Sequence, residues 1–164
     1  MTIDEETIYF LDTSVLVKLV TSEHDSGAVR DYVFAHGPRY TTALCFAEAL
    51  GVLKGKRFRR KLTDLNQDEY ETATHALVAL LKSLVINIEP IDVTDHATMF
   101  EALDLSRKYE IDLADTIQIV ALRQCNVVDA TLITADAALA DATLKEFANR
   151  RVRIWHPATG IRSS

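Results

Sequence analysis

The sequence is poor in the residues that mark specialised classes of protein. Its 164 residues include only two cysteines, Cys45 and Cys125, too few for a disulfide framework. Both lie within apolar helical patterns, so we expect small core residues in a reducing compartment. Five glycines and three prolines exclude a collagen-like or low-complexity chain. These exclusions leave a globular protein that folds around a hydrophobic core.

Long apolar runs and aromatic residues are scarce as well. No apolar run approaches the roughly 18 residues that a membrane-spanning helix needs, and the first six residues are polar and acidic, unlike a signal peptide. We therefore expect a cytoplasmic protein without a membrane segment. Aromatic residues make up 7% of the chain, so base stacking would not dominate any binding of nucleic acid.

Positive charge is in deficit. The chain has 18 Lys and Arg against 24 Asp and Glu, a net charge of −6. Taken alone, this balance argues against a nucleic-acid-binding protein, which usually carries a basic surface. The same balance arises when several acids gather around a metal ion, so the positions of the acids decide the question.

Short apolar segments alternate with helical patterns, and no repeat or linker divides the chain. This predicts a single domain over residues 1–164, of the α/β class, with a parallel sheet flanked by helices. Strands are predicted at 8–11, 40–42, 85–88, 131–134 and 152–155. Helices are predicted at 13–20, 26–35, 43–60, 67–84, 92–109 (capped by Asp92 or Thr94), 112–124 (buried), and from 137 onward.

Two acids directly follow predicted strands. Asp12 comes after the first strand, and Asp136 comes after 131–134 with one residue between. The carboxyl ends of parallel strands meet at one edge of the sheet, where ligands bind in open α/β folds. Each acid also suits the N-cap of the helix that follows it. For Asp136 taken alone, the cap is the preferred interpretation.

Two further acids lie on apolar helices. Glu48 shares a helical face with Leu44 and Val52, and a carboxylate on an apolar face is costly unless it is paired or binds a metal. A salt bridge or the edge of the apolar stripe is the alternative. Asp115 lies one turn after Asp112. Asp112 suits the N-cap, whereas Asp115 is either a favourable helix-dipole charge or a site residue.

The four acids together favour a metal site. Several carboxylates within reach of one another repel unless a cation compensates them. Oxygen-only ligands suit Mg²⁺ or Mn²⁺ better than zinc, and the five histidines have no zinc-ligand spacing. Such a cluster can hold one or two ions that activate water for an in-line phosphoryl displacement. The chemistry indicated is phosphodiester hydrolysis.

Four motifs occur in an order that resembles the PIN-domain ribonucleases, and most closely the VapC-type toxins of bacterial and archaeal toxin–antitoxin pairs. The motifs are YFLDTS at 9–14, TALCFAEA at 42–49, YEIDLADT at 109–116 and LITAD at 132–136. Each motif alone is weak, but four in this order and spacing are specific. The resemblance covers nearly the whole chain.

The resemblance implies a three-layer α/β/α sandwich with a mostly parallel central sheet. It also implies an Mg²⁺- or Mn²⁺-dependent endoribonuclease that acts on RNA, forms homodimers, and is neutralised by an antitoxin that occludes the acidic pocket. The catalytic and metal-binding residues implied are Asp12, Glu48, Asp115 and Asp136, supported by Ser14, Thr134 and Asp112. Many relatives carry Ser at the position of Asp112. The segment 57–84 makes the chain longer than compact toxins, which leaves the mode of antitoxin pairing open.

Two other functions compete with this interpretation. A PIN-like module could bind RNA or protein without cutting, although the presence of all four acids argues against it. A phosphatase with an aspartate nucleophile also places Asp after its first strand. Such enzymes usually need a second Asp two positions later, and Ser14 occupies that position.

One dense basic cluster remains after these assignments. It comprises Lys54, Lys56, Arg57, Arg59, Arg60 and Lys61. The preferred interpretation is a solvated helix end whose cations favour the C-terminal dipole. The alternative is a surface that holds RNA phosphates.

Overall fold

The computed structural model describes residues 7–59, 64–125, 129–148 and 151–163. Seven helices lie in these ranges: α1 (Thr13–Val20), α2 (Ser26–Ala35), α3 (Ala43–Phe58), α4 (Gln67–Lys82), α5 (His96–Tyr109), α6 (Leu113–Gln124) and α7 (Ala137–Glu146). Six strands accompany them: β1 (Ile8–Leu11), β2 (Arg39–Thr42), β3 (Asn87–Glu89), β4 (Asp129–Ile133), β5 (Arg151–His156) and β6 (Gly160–Ser163). The strands form one sheet in the order β3-β2-β1-β4-β5-β6. Only the β5–β6 pair is antiparallel.

The first strand, β1, lies at the centre of the sheet, with β2 and β3 added on one side and β4 to β6 on the other. β1 pairs with β2 on one side and with β4 on the other, and Leu11 stands opposite Ile133. In open α/β sheets, ligands bind outside the carboxyl ends of the strands at this switch point. Asp12 follows β1 there, and its amide donates to the Ile133 carbonyl over 3.1 Å.

Helices cover both faces of the sheet. Alternate residues of a strand point to opposite faces. Phe10 and Leu132 pack into a core with α5, α6 and α7, while Leu11 and Ile133 pack into a second core with α1 to α4. All four of these strand side chains are fully buried. The predicted three-layer α/β/α sandwich with a mostly parallel sheet is confirmed.

The third strand begins later than predicted. It starts at Asn87, not at residue 85. Leu84 adopts a left-handed backbone with φ of 56°, and the amides of Val85 and Ile86 both donate to the Leu80 carbonyl at 3.1 and 3.2 Å. The apolar pair Val85–Ile86 therefore closes the C-terminal turn of α4 and leads into the strand.

The predicted start of α5 was also wrong. The N-cap is Asp95, whose carboxylate accepts from the Thr98 amide at 2.8 Å. Asp92 instead accepts from the amide and the hydroxyl of Thr94 at 2.8 and 2.6 Å. Both acids bond backbone amides two or three residues ahead, which is the same local sequence signal. Residues 92 to 95 form a turn that precedes the helix.

The last strand was missed by sequence reasoning. β6 pairs with β5 through the register Trp155 to Ile161, and Gly160 turns the chain with φ of 69°. The residues of β6 are mostly exposed. An exposed edge strand needs no apolar alternation, so it leaves no periodic signal.

Two expectations from composition concern the cysteines and the membrane. Cys45 is buried and Cys125 is half-buried, and the Cys125 thiol donates to the Leu122 carbonyl at 3.0 Å. Burial raises the pKa of the Cys45 thiol to about 11, so this residue behaves as a small core side chain at neutral pH.

Within the part of the chain that the structure describes, no helix is long and apolar enough to cross a membrane.

Candidate metal centre and active site

A cleft of about 600 Å³ opens at the carboxyl ends of β1 and β4. It brings together the four acids predicted from sequence, with Asp112 beside them: Asp12, Glu48, Asp115 and Asp136. They come from the start of α1, the middle of α3, the first turn of α6 and the start of α7. Their common position follows from the parallel strand order, while their catalytic and metal-binding roles stay predictions.

Asp12 is the buried acid of this cleft. Its side chain is 3% exposed, and its Oδ2 accepts from the hydroxyls of Ser14 at 2.8 Å and Thr134 at 2.9 Å. Burial raises the pKa of Asp12, while these hydrogen bonds favour the ionised form. Although Asp12 occupies the N-cap position of α1, its carboxylate makes no capping hydrogen bond. Asp12 is therefore the N-cap residue by position, and the hydrogen bonds from Ser14 and Thr134 give its carboxylate partners beyond a helix cap.

The same two hydroxyls hold the loop after β4. The Ala135 amide donates to Ser14 Oγ at 3.1 Å, and the Asp136 amide donates to Thr134 Oγ1 at 3.0 Å. Asp136 Oδ1 in turn accepts from the amides at the start of α7, which lie 2.8 and 3.0 Å away. Asp136 thus caps a helix and lines the cleft at once. Capping fixes its carboxylate at the rim.

Glu48 reaches the cleft from the exposed side of α3. Its Oε2 accepts from the Thr13 hydroxyl at 2.7 Å. Glu48 and Val52 are both exposed, which fits the alternative that Glu48 lies at the edge of the apolar stripe. Sequence reasoning also missed Thr13, although the residue stands directly between Asp12 and Ser14.

Asp115 is a second carboxyl group of the cleft whose pKa is raised. Burial, followed by the negative charges of Asp12, Asp136, Glu48 and Asp112, raises the pKa of Asp115 to about 7. Asp112 occupies the N-cap position of α6 as expected, but its exposed carboxylate makes no capping hydrogen bond. The predicted capping role of that side chain was wrong. The cleft concentrates negative charge that its own residues do not compensate.

The donor chemistry of these acids can be compared with the needs of a divalent cation. Every candidate ligand is a carboxylate or hydroxyl oxygen, which suits Mg²⁺ or Mn²⁺. The raised pKa of Asp115 shows that added positive charge would be stabilising here. Among the described residues, no three His, Cys, Asp or Glu side chains already form a group that could hold a metal ion. Mg²⁺ commonly keeps several waters and takes only one or two carboxylates, so the acids fit it without forming a closed cage.

A buried amide supports the strand that carries Asp12. Gln118 is fully buried, and its Nε2 donates to the Leu11 carbonyl at 3.2 Å. The Thr41 hydroxyl donates to the same carbonyl at 2.8 Å, and the Cys45 thiol donates to Gln118 Oε1 at 3.0 Å. Sequence reasoning missed Gln118. Its signal was a polar side chain within the apolar run of α6.

Two lysines and two more acids form another wall of the cleft. Lys18 contacts Glu23 and Asp25 at 2.6 Å each, and Lys56 contacts Glu23 at 2.7 Å. Burial lowers the pKa of Lys18, but the hydrogen bonds to Asp25 and Glu23 outweigh it and raise that pKa overall. The interpretation of the basic cluster as a solvated helix end was therefore wrong for Lys56. Sequence reasoning missed the other three members of this wall.

The remaining members of the basic cluster fall into two groups. Lys54, Arg57 and Arg59 lie within the described residues, near or at the end of α3. Arg59 lines a second depression beside Glu48 and Lys56. Arg60 and Lys61 lie outside the described residues, so their part of that prediction is not addressed.

Several solved structures share this fold at low sequence identity. VapC20 of Mycobacterium tuberculosis, a sarcin–ricin loop cleaving toxin, is 16% identical with a TM-score of 0.55, over 74% of this chain and 86% of that chain. FitAcB from Neisseria gonorrhoeae is 17% identical with a TM-score of 0.57, over 93% and 99%. VapBC2 from Rickettsia felis, bound to a DNA fragment from their promoter, is 17% identical with a TM-score of 0.50, over 91% and 99%. A comparison with curated proteins gave no significant match.

The family comparison covers most of the chain. The model of the PIN domain matches residues 9–144, a span that runs from β1 into α7 and contains the four acids with Ser14 and Thr134. The match agrees with the observed strand order and with the acidic edge of the sheet. The chain therefore belongs to the PIN domain family.

Proposed function

We propose that this protein is an Mg²⁺- or Mn²⁺-dependent endoribonuclease and the toxin component of a type II toxin–antitoxin pair. The observation that carries the proposal is the gathering of Asp12, Glu48, Asp115 and Asp136 in one cleft at the switch point of the sheet. Membership of the PIN domain family and the fold shared with VapC20 support it. The proposal treats residues 1–164 as one domain.

The four acids are the residues that would hold the cation. When bound, a divalent cation supplies Lewis-acid chemistry to the phosphoryl group and to the attacking water. The side chains around the acids fix their orientation before substrate arrives. Ser14 and Thr134 hold Oδ2 of Asp12, and Thr13 holds Oε2 of Glu48. Such preorganisation spares the site a rearrangement during the reaction.

Asp115 is the acid to which we assign the proton transfer. Without a cation, burial and the neighbouring carboxylates raise its pKa to about 7, and a bound divalent cation would lower that pKa and keep the carboxylate ionised. Its carboxylate would accept the proton that a water loses as it attacks the phosphorus. The adjacent carboxylates keep that proton affinity high, because each of them repels a negative charge on Asp115.

The proposed partners are RNA, an antitoxin protein and a second copy of the chain. The cleft presents seven carboxylates and two lysines, so an antitoxin segment that covers it would carry positive charge. VapBC2, which shares this fold, is recorded with its promoter DNA. Co-purification with a small basic-tailed protein encoded beside the gene would support the antitoxin, and a sedimentation measurement would give the oligomeric state.

A cleavage assay tests the function directly. Wild type and Asp12→Asn would be incubated with a pool of structured RNA in Mg²⁺, Mn²⁺ or EDTA. We expect discrete cuts that require metal and that decrease by about 100-fold or more in the variant, the scale of losing a group needed in the transition state. Circular dichroism would verify that the variant is folded.

A matched control comes from α5. Asp104 carries the same charge, is 79% exposed, and does not line the cleft. Asp104→Asn should therefore cleave as wild type does. Full activity of Asp12→Asn, or cuts that persist in EDTA, would contradict the proposed site.

A binding module without cleavage is the second candidate. The observation in its favour is that the fold and the cleft would serve such a module equally well. Such a module would bind RNA but leave it intact in every metal buffer. An RNA gel shift in the same samples separates the two candidates.

A further inference from the structure

Two lysines extend the proposed reaction centre along the cleft. Lys18 lies one helical turn beyond Ser14 on α1, and Lys56 lies two turns beyond Glu48 on α3. Spacings of four and eight residues keep them on the faces that carry the site residues. They therefore stand about 6 and 12 Å farther along their helix axes. Their side chains are only 15% and 14% exposed and line the cleft.

One carboxylate bridges the two ammonium groups. Glu23 Oε2 lies 2.6 Å from Lys18 Nζ, and Glu23 Oε1 lies 2.7 Å from Lys56 Nζ. A phosphodiester offers the same arrangement, since it spreads one negative charge over two unbridged oxygens. Half-buried ammonium groups need an anionic partner, and a phosphate satisfies that need as well as a carboxylate does.

The position of Glu23 allows its carboxylate to move away from the two lysines. It lies in the connection between α1 and α2, and its side chain is 28% exposed. Its backbone amide donates to Ser26 Oγ at 2.9 Å, so the backbone is held independently of the carboxylate. Rotation of the side chain into solvent exposes both lysines, which keep secondary partners in Asp25 and Asp64.

A polyanion that enters this cleft meets seven carboxylates. Of the described residues that line it, Lys18 and Lys56 are the cations available to a phosphate. We propose that Lys18 and Lys56 form a phosphate subsite for the RNA strand beside the reaction centre, in which the Glu23 carboxylate occupies the phosphate position while RNA is absent. The inference rests on the proposed ribonuclease function and names how its substrate is held.

A purely structural role makes a different prediction. The same ion pairs could simply pin the α1–α2 connection to α3. If the role is structural, replacing either lysine lowers thermal stability and leaves the salt dependence of RNA binding unchanged. Loss of a phosphate contact lowers the dependence of binding on salt, because fewer counterions are released.

The test measures binding of a labelled single-stranded RNA of about 12 nucleotides, within the usual range of site sizes. All variants carry Asp12→Asn to prevent cleavage, and affinity is measured in Mg²⁺ buffer over a series of NaCl concentrations. Lys18→Gln and Lys56→Gln should each weaken binding about tenfold and reduce the slope of log K against log salt by about 0.7. Glu23→Gln should tighten binding about threefold, since it removes the competing carboxylate.

Lys54→Gln supplies the matched control. Lys54 lies on the same helix, is exposed, and does not line the cleft. Its loss should leave the slope unchanged. Slopes equal to the parent for Lys18→Gln and Lys56→Gln, weaker binding by Glu23→Gln, or no salt-dependent RNA binding by the parent would each overturn the subsite.

Two further measurements are made. Melting temperatures are recorded for every variant, and cleavage is assayed with the same substitutions in a protein that keeps Asp12. A lower melting temperature with an unchanged slope identifies a structural pin and rejects the subsite. Cleavage by wild type with unchanged slopes rejects the subsite but not the ribonuclease function. Altered slopes without any cleavage reject the ribonuclease function while the subsite stands.

Discussion

At the scale of single residues, three hydroxyl groups donate hydrogen bonds to the carboxylates of the acidic cleft. Ser14 and Thr134 stabilise the ionised form of Asp12, and Thr13 donates to Glu48. Hydrogen bonds to a charged group contribute about 1.5–3 kcal/mol each, which offsets part of the cost of burying Asp12. Burial and the charges of the neighbouring acids still raise the pKa of Asp115 to about 7.

The raised pKa of Asp115 predicts that the stability of the protein depends on pH. The unfolded chain has an ordinary Asp pKa of about 3.9, and the folded value is about 7. Between these values the folded state binds the extra proton, so its stability falls as pH rises through the window and levels off above it. In EDTA, Asp115→Asn should melt about 3 °C above wild type at neutral pH, on the order of 1 kcal/mol for this size.

The advantage of Asp115→Asn should shrink as the pH falls from about 7 toward 4, because the folded state then holds a proton on Asp115 that the unfolded state lacks. Differential scanning fluorimetry over a pH series measures it. Asp104→Asn is the matched control, since Asp104 is 79% exposed and does not line the cleft. A difference in melting temperature that stays constant across the series would show that the perturbed pKa is not its cause.

At the scale of secondary-structure elements, the helical and strand patterns are placed well and their ends less so. The bounds of α1, α2 and β1 agree with the sequence-based prediction. Errors concentrate where two residues offer the same local bond. Asp92 and Asp95 both accept from a backbone amide ahead of them, and the helix begins after the second of the two.

The corrected boundary predicts unequal effects of two similar substitutions. Asp95→Ala removes the N-cap bond of α5 and should lower stability by about 1 kcal/mol. Asp92→Ala removes bonds within an exposed turn and should have less than about half that effect. Urea unfolding of both variants measures the two free energies. Equal losses, or a larger loss for Asp92→Ala, would argue against a helix that begins at residue 96.

At the scale of the whole molecule, strand order brings distant acids to one place. Asp12 and Thr134 are 122 positions apart, yet they share a hydrogen bond. The parallel register of β1 with β4 sets Leu11 opposite Ile133, so the residues that follow each strand emerge side by side. The charge of the cleft is therefore a property of the assembled sheet.

A divalent cation that compensates this charge should stabilise the whole fold. A ligand that binds only the folded state adds about 2.7 kcal/mol at a concentration 100 times its Kd, which corresponds to roughly 5–10 °C in a chain of this length. Mn²⁺ and Mg²⁺ should therefore raise the melting temperature of wild type, and EDTA should reverse the rise. Asp12→Asn should abolish most of the effect.

Ca²⁺ at equal ionic strength serves as the first comparison, and Asp104→Asn as the second. An equal rise in Asp12→Asn would place the bound ion elsewhere. An unchanged melting temperature of wild type in saturating metal would argue against a metal centre in this cleft.

The sequence by itself determined the class of the fold and the identity of the acids. Apolar segments of strand and helix length alternate along it, and an acid after a strand or within a helix start is visible without coordinates. It left the exposure of Glu48 open, because helical periodicity reports which residues share a face and not whether that face is covered. It overlooked Gln118 because a single polar residue does not alter an apolar pattern.

Only the tertiary structure decided which partners these acids have. Thr13 meets Glu48, Gln118 meets the Leu11 carbonyl, and Lys18 and Lys56 share Glu23. Contacts of this kind join elements that lie far apart in the chain, and short-range patterns carry no information about them. The raised pKa of Asp115 has the same origin, because both its burial and the neighbouring charges arise only when the chain is folded around the parallel sheet.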